Sequence, residues 1–122
     1  MNTFYHNPRC AKSRQGLKIL EASNLEYQIV RYLDEKLSKK QIKELLTALD
    51  IDPLDLVRTS EKLWKENFKG IELSNEQVIE ALVCNPKLIE RPILMIHTKA
   101  VIGRPPEKIL NFIKDSLDQQ IS

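Results

Sequence analysis

The first 32 residues constrain the fold most, because they hold two short strand-forming runs separated by a single helical stretch. Thr3-Phe4-Tyr5 is β-prone and stops at Asn7-Pro8. Leu17, Ile19 and Leu20 then mark the apolar face of a helix. Beyond Ser23-Asn24, the run Tyr27-Gln28-Ile29-Val30-Arg31-Tyr32 alternates β-branched or aromatic residues with polar ones, as a strand does. A helical crossover returns the chain in its original direction, so the two strands are expected to pair in parallel through a right-handed βαβ unit.

The middle of the chain reads as helical. Ser38 with Gln41 forms a capping box ahead of Ile42, Leu45, Leu46 and Leu49, and Ser74 with Gln77 repeats it ahead of Val78, Ile79, Leu82 and Val83. Between them, Asp52-Pro53 restarts a short helix and a further piece is expected from about Ser60 through Trp64. Asn85-Pro86 ends the last of these helices. Ile93-Leu94-Met95-Ile96 then reads as a buried strand, with a turn near Thr98-Lys99 and Ala100-Val101-Ile102 pairing back antiparallel. Pro105-Pro106-Glu107 suits the first turn of a closing helix with an apolar stripe at Ile109, Phe112, Ile113 and Leu117. The order βαβ, helices, ββα predicts an α/β fold with a mixed four-stranded sheet. At 122 residues, one domain spanning 1–122 is expected, with a helical insertion at about 36–85.

A surplus of 19 basic over 17 acidic residues is no argument for nucleic-acid binding. The longest apolar run, Pro92 to Ile96, is far short of the roughly 20 residues that span a bilayer, and no signal peptide or membrane segment is expected. Two cysteines without clustering suit neither a disulfide framework nor a metal site, so a cytoplasmic setting is expected.

The two cysteines differ. Cys84 sits beside Val83 in an amphipathic pattern without basic neighbours and is expected to be a small buried hydrophobe. Cys10 lies where the loop after the first strand feeds a helix, so unpaired N–H groups and the helix dipole favour its thiolate. Arg9, Lys12 and Arg14 share that turn. Ser13 is placed to offer its hydroxyl or backbone N–H to the sulfur or to an anion beside it, and His6 to donate across the loop. Arginine occurs only at 9, 14, 31, 58, 91 and 104. Arg91-Pro92 immediately precedes a buried strand and Arg104 follows Gly103 at the end of another, both edges from which a planar guanidinium reaches a cleft and binds oxyanions bidentately.

Taken together, Tyr5-His6-Asn7-Pro8-Arg9-Cys10 with Ser13-Arg14, Glu90-Arg91-Pro92-Ile93, and Gly103-Arg104-Pro105-Pro106-Glu107 resemble the glutaredoxin-coupled arsenate reductase family, especially its small bacterial members. The resemblance covers nearly the whole chain. It implies a thioredoxin-like fold with the helical part inserted between its halves, and a cis bond at Arg91-Pro92. It also implies that Cys10 is the nucleophile, that Arg58, Arg91 and Arg104 clamp the oxyanion, and that His6, Ser13, Arg14 and Pro92 support them. The expected substrate is arsenate or a similar oxyanion. Glutathione and glutaredoxin are the implied external reductants, and no metal or bound cofactor is needed. With no exposed heptad or obvious interface in the sequence, a monomer without nucleic-acid or membrane partners is expected.

With no cysteine next to Arg104, the resolving thiol is expected from outside. Two other readings share the scaffold. Spx-type regulators bind RNA polymerase and switch through a CxxC pair, but the motif here is Cys10-Ala11-Lys12-Ser13. A thiol oxidoreductase with another substrate keeps every feature except the choice of anion.

Overall fold

A computed structural model describes residues 2–121 of the chain. Its contacts divide into two compact units, Met1–Tyr32 with Arg91–Ser122, and Leu33–Glu90.

The first unit is built on a four-stranded sheet. Strand β1 (Asn2–Tyr5) is followed by helix α1 (Ala11–Glu21) and strand β2 (Tyr27–Val30), which pairs with β1 in parallel from Asn2↔Tyr27 to Tyr5↔Val30. Strands β3 (Ile93–Ile96) and β4 (Lys99–Ile102) form the antiparallel hairpin, and β3 pairs antiparallel with β1. The resulting order is β2-β1-β3-β4, a mixed sheet with the thioredoxin-like arrangement. Phe4 lies opposite Leu94, which lies opposite Val101, so these side chains share one face. Helices α1 and α5 (Glu107–Ile121) cover it, closing a core of Phe4, Leu20, Leu94, Ile96, Ile109 and Ile113. Each of these large side chains contributes about 1.5–3 kcal/mol by leaving water.

Several boundaries differ from the sequence reading, each for a reason of pairing. Strand β2 stops at Val30, not Tyr32, because β1 has no residue left to pair once the His6 N–H has bonded the Val30 carbonyl. The hairpin turn falls at His97-Thr98, one residue earlier than expected. His97 takes φ 56°, and the Ile96↔Lys99 pair closes the two-residue loop. Leu117 is exposed, because α5 turns Ile109 and Ile113 inward and Leu117 falls with Leu110 on the solvent side. Both Arg91–Pro92 and Arg104–Pro105 are cis, the first as the resemblance implies.

The second unit is helical: α2 (Lys39–Leu49), a 3₁₀ turn at Pro53–Leu56, α3 (Lys62–Asn67), α4 (Asn75–Cys84) and a 3₁₀ turn at Pro86–Leu88 that the sequence reading lacked. Both capping boxes form in full. Ser38 accepts from the Gln41 N–H at 3.1 Å and Gln41 accepts from the Ser38 N–H at 2.8 Å, while Ser74 and Gln77 do the same at 3.2 and 2.8 Å. Helix α3 begins later than expected, at Lys62 with Glu61 as its cap. Cys84 is exposed rather than buried. The buried face of α4 carries Val78, Ile79, Ala81 and Leu82, and residue 84 falls on the opposite side of the helical wheel.

Candidate active site

Asn7 and Pro8 shape the turn that delivers Cys10 to the start of α1. The Asn7 carbonyl accepts the Cys10 N–H at 3.0 Å, and the Asn7 side-chain oxygen accepts the Arg9 N–H at 3.0 Å. Cys10 is thereby the N-cap, with extended φ −96° and ψ 124°, and its own carbonyl takes the Arg14 N–H at 3.0 Å. At this position the first orphan N–H groups of the helix converge on the cap side chain, here a sulfur.

Cys10 is half-buried. Burial pushes its thiol up, but the Ser13 backbone N–H, a hydrogen bond from the Arg91 guanidinium, the Lys12 backbone N–H and the Arg91 charge act in the opposite sense. The balance holds the thiol below its ordinary value. Arg104 adds a guanidinium Nη1 at 3.9 Å from the sulfur, and the same nitrogen donates to the Arg91 carbonyl at 3.3 Å. Two arginines from the ends of β3 and β4 therefore meet at one sulfur, and one steadies the backbone of the other.

The basic residues of the Cys10 turn do something else. Arg9 and Lys12 are exposed, and Arg14, also exposed, donates from Nη1 to the Pro8 carbonyl at 2.9 Å, bracing the loop. Lys12 reaches the sulfur through its backbone, not its ammonium.

Ser13 is fully buried, and its hydroxyl bonds to His6 Nδ1 at 2.7 Å and to the Asn7 N–H at 3.0 Å, while the backbone N–H of the same residue serves Cys10. His6 is buried, and desolvation, with the charges of Arg31 and Arg14, lowers its pKa and keeps the ring neutral. Its influence on Cys10 passes through Ser13. With this hydroxyl in the place of a second thiol, a disulfide across the Cys10–Ser13 turn is chemically absent.

Pro92 is buried between two glycines: Gly16, which the sequence reading passed over, and Gly103, to which it gave no packing role. A Cβ at Gly16 would lie 3.1 Å from Pro92 Cγ, and one at Gly103 would lie 3.0 Å from Pro92 Cγ and 2.7 Å from Ile109 Cγ1. The Gly103 N–H also donates to the Pro92 carbonyl at 2.8 Å. The available signal was scarcity, since the chain has three glycines and one of them interrupts a helix. Arg58 belongs to the second unit. There its N–H donates to the Leu88 carbonyl at 2.7 Å, and its Nε lies 3.9 Å from a Glu61 carboxylate oxygen. Among the described residues, no group of histidines, cysteines and carboxylates is arranged to hold a metal ion, and no helix is long and apolar enough to cross a membrane.

A depressed-pKa cysteine capping the first helix of a thioredoxin-like unit, with a cis X–Pro bond and two guanidiniums at the sulfur, defines a thiol oxidoreductase whose site is shaped for an anion. Comparison with known proteins narrows this class: the ArsC family model matches residues 5–112, and the chain belongs to that family. It is 43% identical over 112 residues to YfgD of Escherichia coli K12, described as an uncharacterized protein, covering 90% of this chain and 94% of that one. It is 37% identical to the arsenate reductase of Haemophilus influenzae, covering 90% and 97% of the two chains. The solved structure of an arsenate reductase from Vibrio cholerae superposes with a TM-score of 0.84 at 38% identity, covering 90% of this chain and 95% of that one.

Proposed function

We propose that the protein reduces arsenate to arsenite in the cytoplasm, through a covalent adduct on Cys10 and with external thiols as electron donors. The observation that carries this is the meeting of Arg91 and Arg104 at a sulfur whose thiol is held below its ordinary value. The Cys10 thiolate attacks arsenic and displaces one oxygen as water, forming a sulfur–arsenic bond. Arg91 and Arg104 neutralise the charge on the remaining oxygens as it builds. A glutathione thiolate then attacks the adduct. The sulfur–arsenic bond breaks with its electron pair passing to arsenic, As(V) becomes As(III), and the two thiols become one Cys10–glutathione disulfide. Arsenite leaves, and thiol exchange with glutaredoxin regenerates Cys10.

Arsenate is favoured over phosphate, which matches it in shape and charge, because thiols can reduce As(V) and cannot reduce phosphate. Homologues named arsenate reductases support the same reading. The test is arsenate-dependent NADPH oxidation by the full chain with glutathione, glutaredoxin and glutathione reductase. Wild type is expected to turn over and Cys10→Ser to be inactive. A wild-type chain without arsenate-dependent NADPH loss refutes the assignment.

A further inference from the structure

Asn7, 7% exposed, lies in the loop that delivers Cys10, and all but one of its polar groups are bonded within that loop. Its N–H donates to the Ser13 hydroxyl, its backbone carbonyl accepts the Cys10 N–H, and its side-chain oxygen accepts the Arg9 N–H, each at 3.0 Å. The last bond fixes which end of the amide is oxygen, because an N–H cannot donate to an NH2 group. The side-chain nitrogen Nδ2, with two hydrogens to give, has no hydrogen-bond partner among the described residues. Nor is it sealed inside the core, since it keeps contact with solvent. A donor is thus left open on an amide anchored at Arg9, the residue before Cys10.

The turn itself does not require this donor. A side-chain oxygen is all that such a turn uses, and aspartate supplies one as well as asparagine does. Aspartate would also bring a carboxylate into a site free of them: residues 2–20 and 91–106, which carry Cys10, Arg91 and Arg104, contain no aspartate or glutamate. Asparagine builds the same turn, adds no charge and leaves an N–H group to spare. We propose that the Asn7 amide is a further substrate-binding group, donating from Nδ2 to an oxygen of the oxyanion seated at Cys10. The proposal rests on the reading that Cys10 takes an oxyanion. Arg91 and Arg104 come to the sulfur from the ends of β3 and β4, and Asn7 comes from the end of β1, so three strands each supply a donor. The bonds to Ser13, Cys10 and Arg9 already hold the residue in place, so donation needs no reorganisation when the anion arrives. Being neutral, the amide serves the bound oxyanion without setting the thiol's pKa.

The test reads anion binding without the reduction. Phosphate has the shape and charge of arsenate and is not reduced by thiols, so its binding to the full chain is measured as protection of Cys10 from iodoacetamide. Asn7→Ser keeps an oxygen for the turn and lacks the amide, while Asn7→Asp keeps the turn and puts a carboxylate oxygen where Nδ2 stood. Asn7→Ser is expected to need about tenfold or more phosphate for half-protection, as the loss of a hydrogen bond to a charged group implies. Its urea midpoint, and the pH midpoint of alkylation without phosphate, should stay close to those of wild type. Asn7→Asp should bind phosphate more weakly still and move the pH midpoint upward, because its charge disfavours the neighbouring thiolate. Wild-type protection in Asn7→Ser overturns the proposal. So does a loss of protection in Asn7→Ser that comes with a shifted pH midpoint or a lowered urea midpoint, which makes Asn7 a support of the loop alone. A wild-type chain that neither phosphate nor arsenate protects overturns the oxyanion reading together with this contact. A chain that is protected as expected but turns over no arsenate keeps the Asn7 contact and loses only the reduction.

Discussion

Cys10 was legible as the reactive residue because the signs of a helix start are local: Asn7-Pro8, a turn, then the apolar face at Leu17 and Leu20. The backbone share of what lowers its thiol was legible as well, since the Ser13 and Lys12 N–H groups belong to that helix start. The side-chain share was not, because it comes from a neighbour in space and not in sequence. Arg9 and Lys12 point to solvent, and the guanidinium that bonds the sulfur belongs to Arg91, brought there by the pairing of β3 against β1. This division of labour has a measurable consequence. Arg91→Lys keeps the charge but loses the planar fork, and a charge-assisted hydrogen bond is worth about 1.5–3 kcal/mol. Alkylation of Cys10 by iodoacetamide near pH 6 is therefore expected to slow roughly tenfold or more, with the midpoint of the rate–pH curve moved upward. Arg104→Lys is expected to move that midpoint less, since its nitrogen stands at 3.9 Å, and to cost arsenate kcat/KM much more than it costs stability. An Arg104→Lys enzyme with unaltered kinetics removes that residue from the site.

Among the elements, the capping boxes at Ser38 and Ser74 could be read from sequence because every participant lies within four residues. The end of β2, the 3₁₀ turn at Pro86–Leu88 and the exposure of Leu117 could not, because each depends on what another part of the chain offers. The contact of α1, β3 and β4 at Pro92 is of the same kind, and it yields a graded prediction. At Gly103 an added methyl meets the fully buried Ile109 at 2.7 and 2.8 Å as well as Pro92, and neither can withdraw without disturbing the core. Gly103→Ala is expected to destabilise the fold by about 1–3 kcal/mol in urea unfolding, as overpacked cores do. At Gly16 the nearest atom is 3.1 Å away, and alanine brings up to about 1 kcal/mol of helix propensity in return. Gly16→Ala should therefore sit near wild-type stability, and an equal loss at both positions contradicts this account of how the Arg91 turn is seated.

At the scale of the molecule, the groups that hold the site together also make folding depend on pH. His6 and Cys10 both have folded-state pKa values below their ordinary ones, so in each case the unfolded chain binds protons more readily. For Cys10 the stabilisation is fully present above the ordinary thiol value of 9.0 and is lost as pH falls through the depressed value. For His6 it is present above 6.5 and is lost as pH falls through its own lowered value, when the buried imidazole must take up a proton. Both contributions have the same sign, so stability rises with pH in two successive windows. The exposed Lys39–Glu76 pair adds a salt-screened background that wild type and site variants share. Comparing urea midpoints from pH 5 to 9.5 isolates the two groups. The advantage of wild type over Cys10→Ser should grow from neutral pH toward 9. Its advantage over His6→Asn, where an amide can keep the bond to Ser13 without titrating, should shrink only below 6.5. An advantage over His6→Asn that grows on acidification reverses the sign and means the imidazole is charged in the folded protein, which makes it a direct electrostatic partner of the Cys10 thiolate rather than a neutral strut behind Ser13.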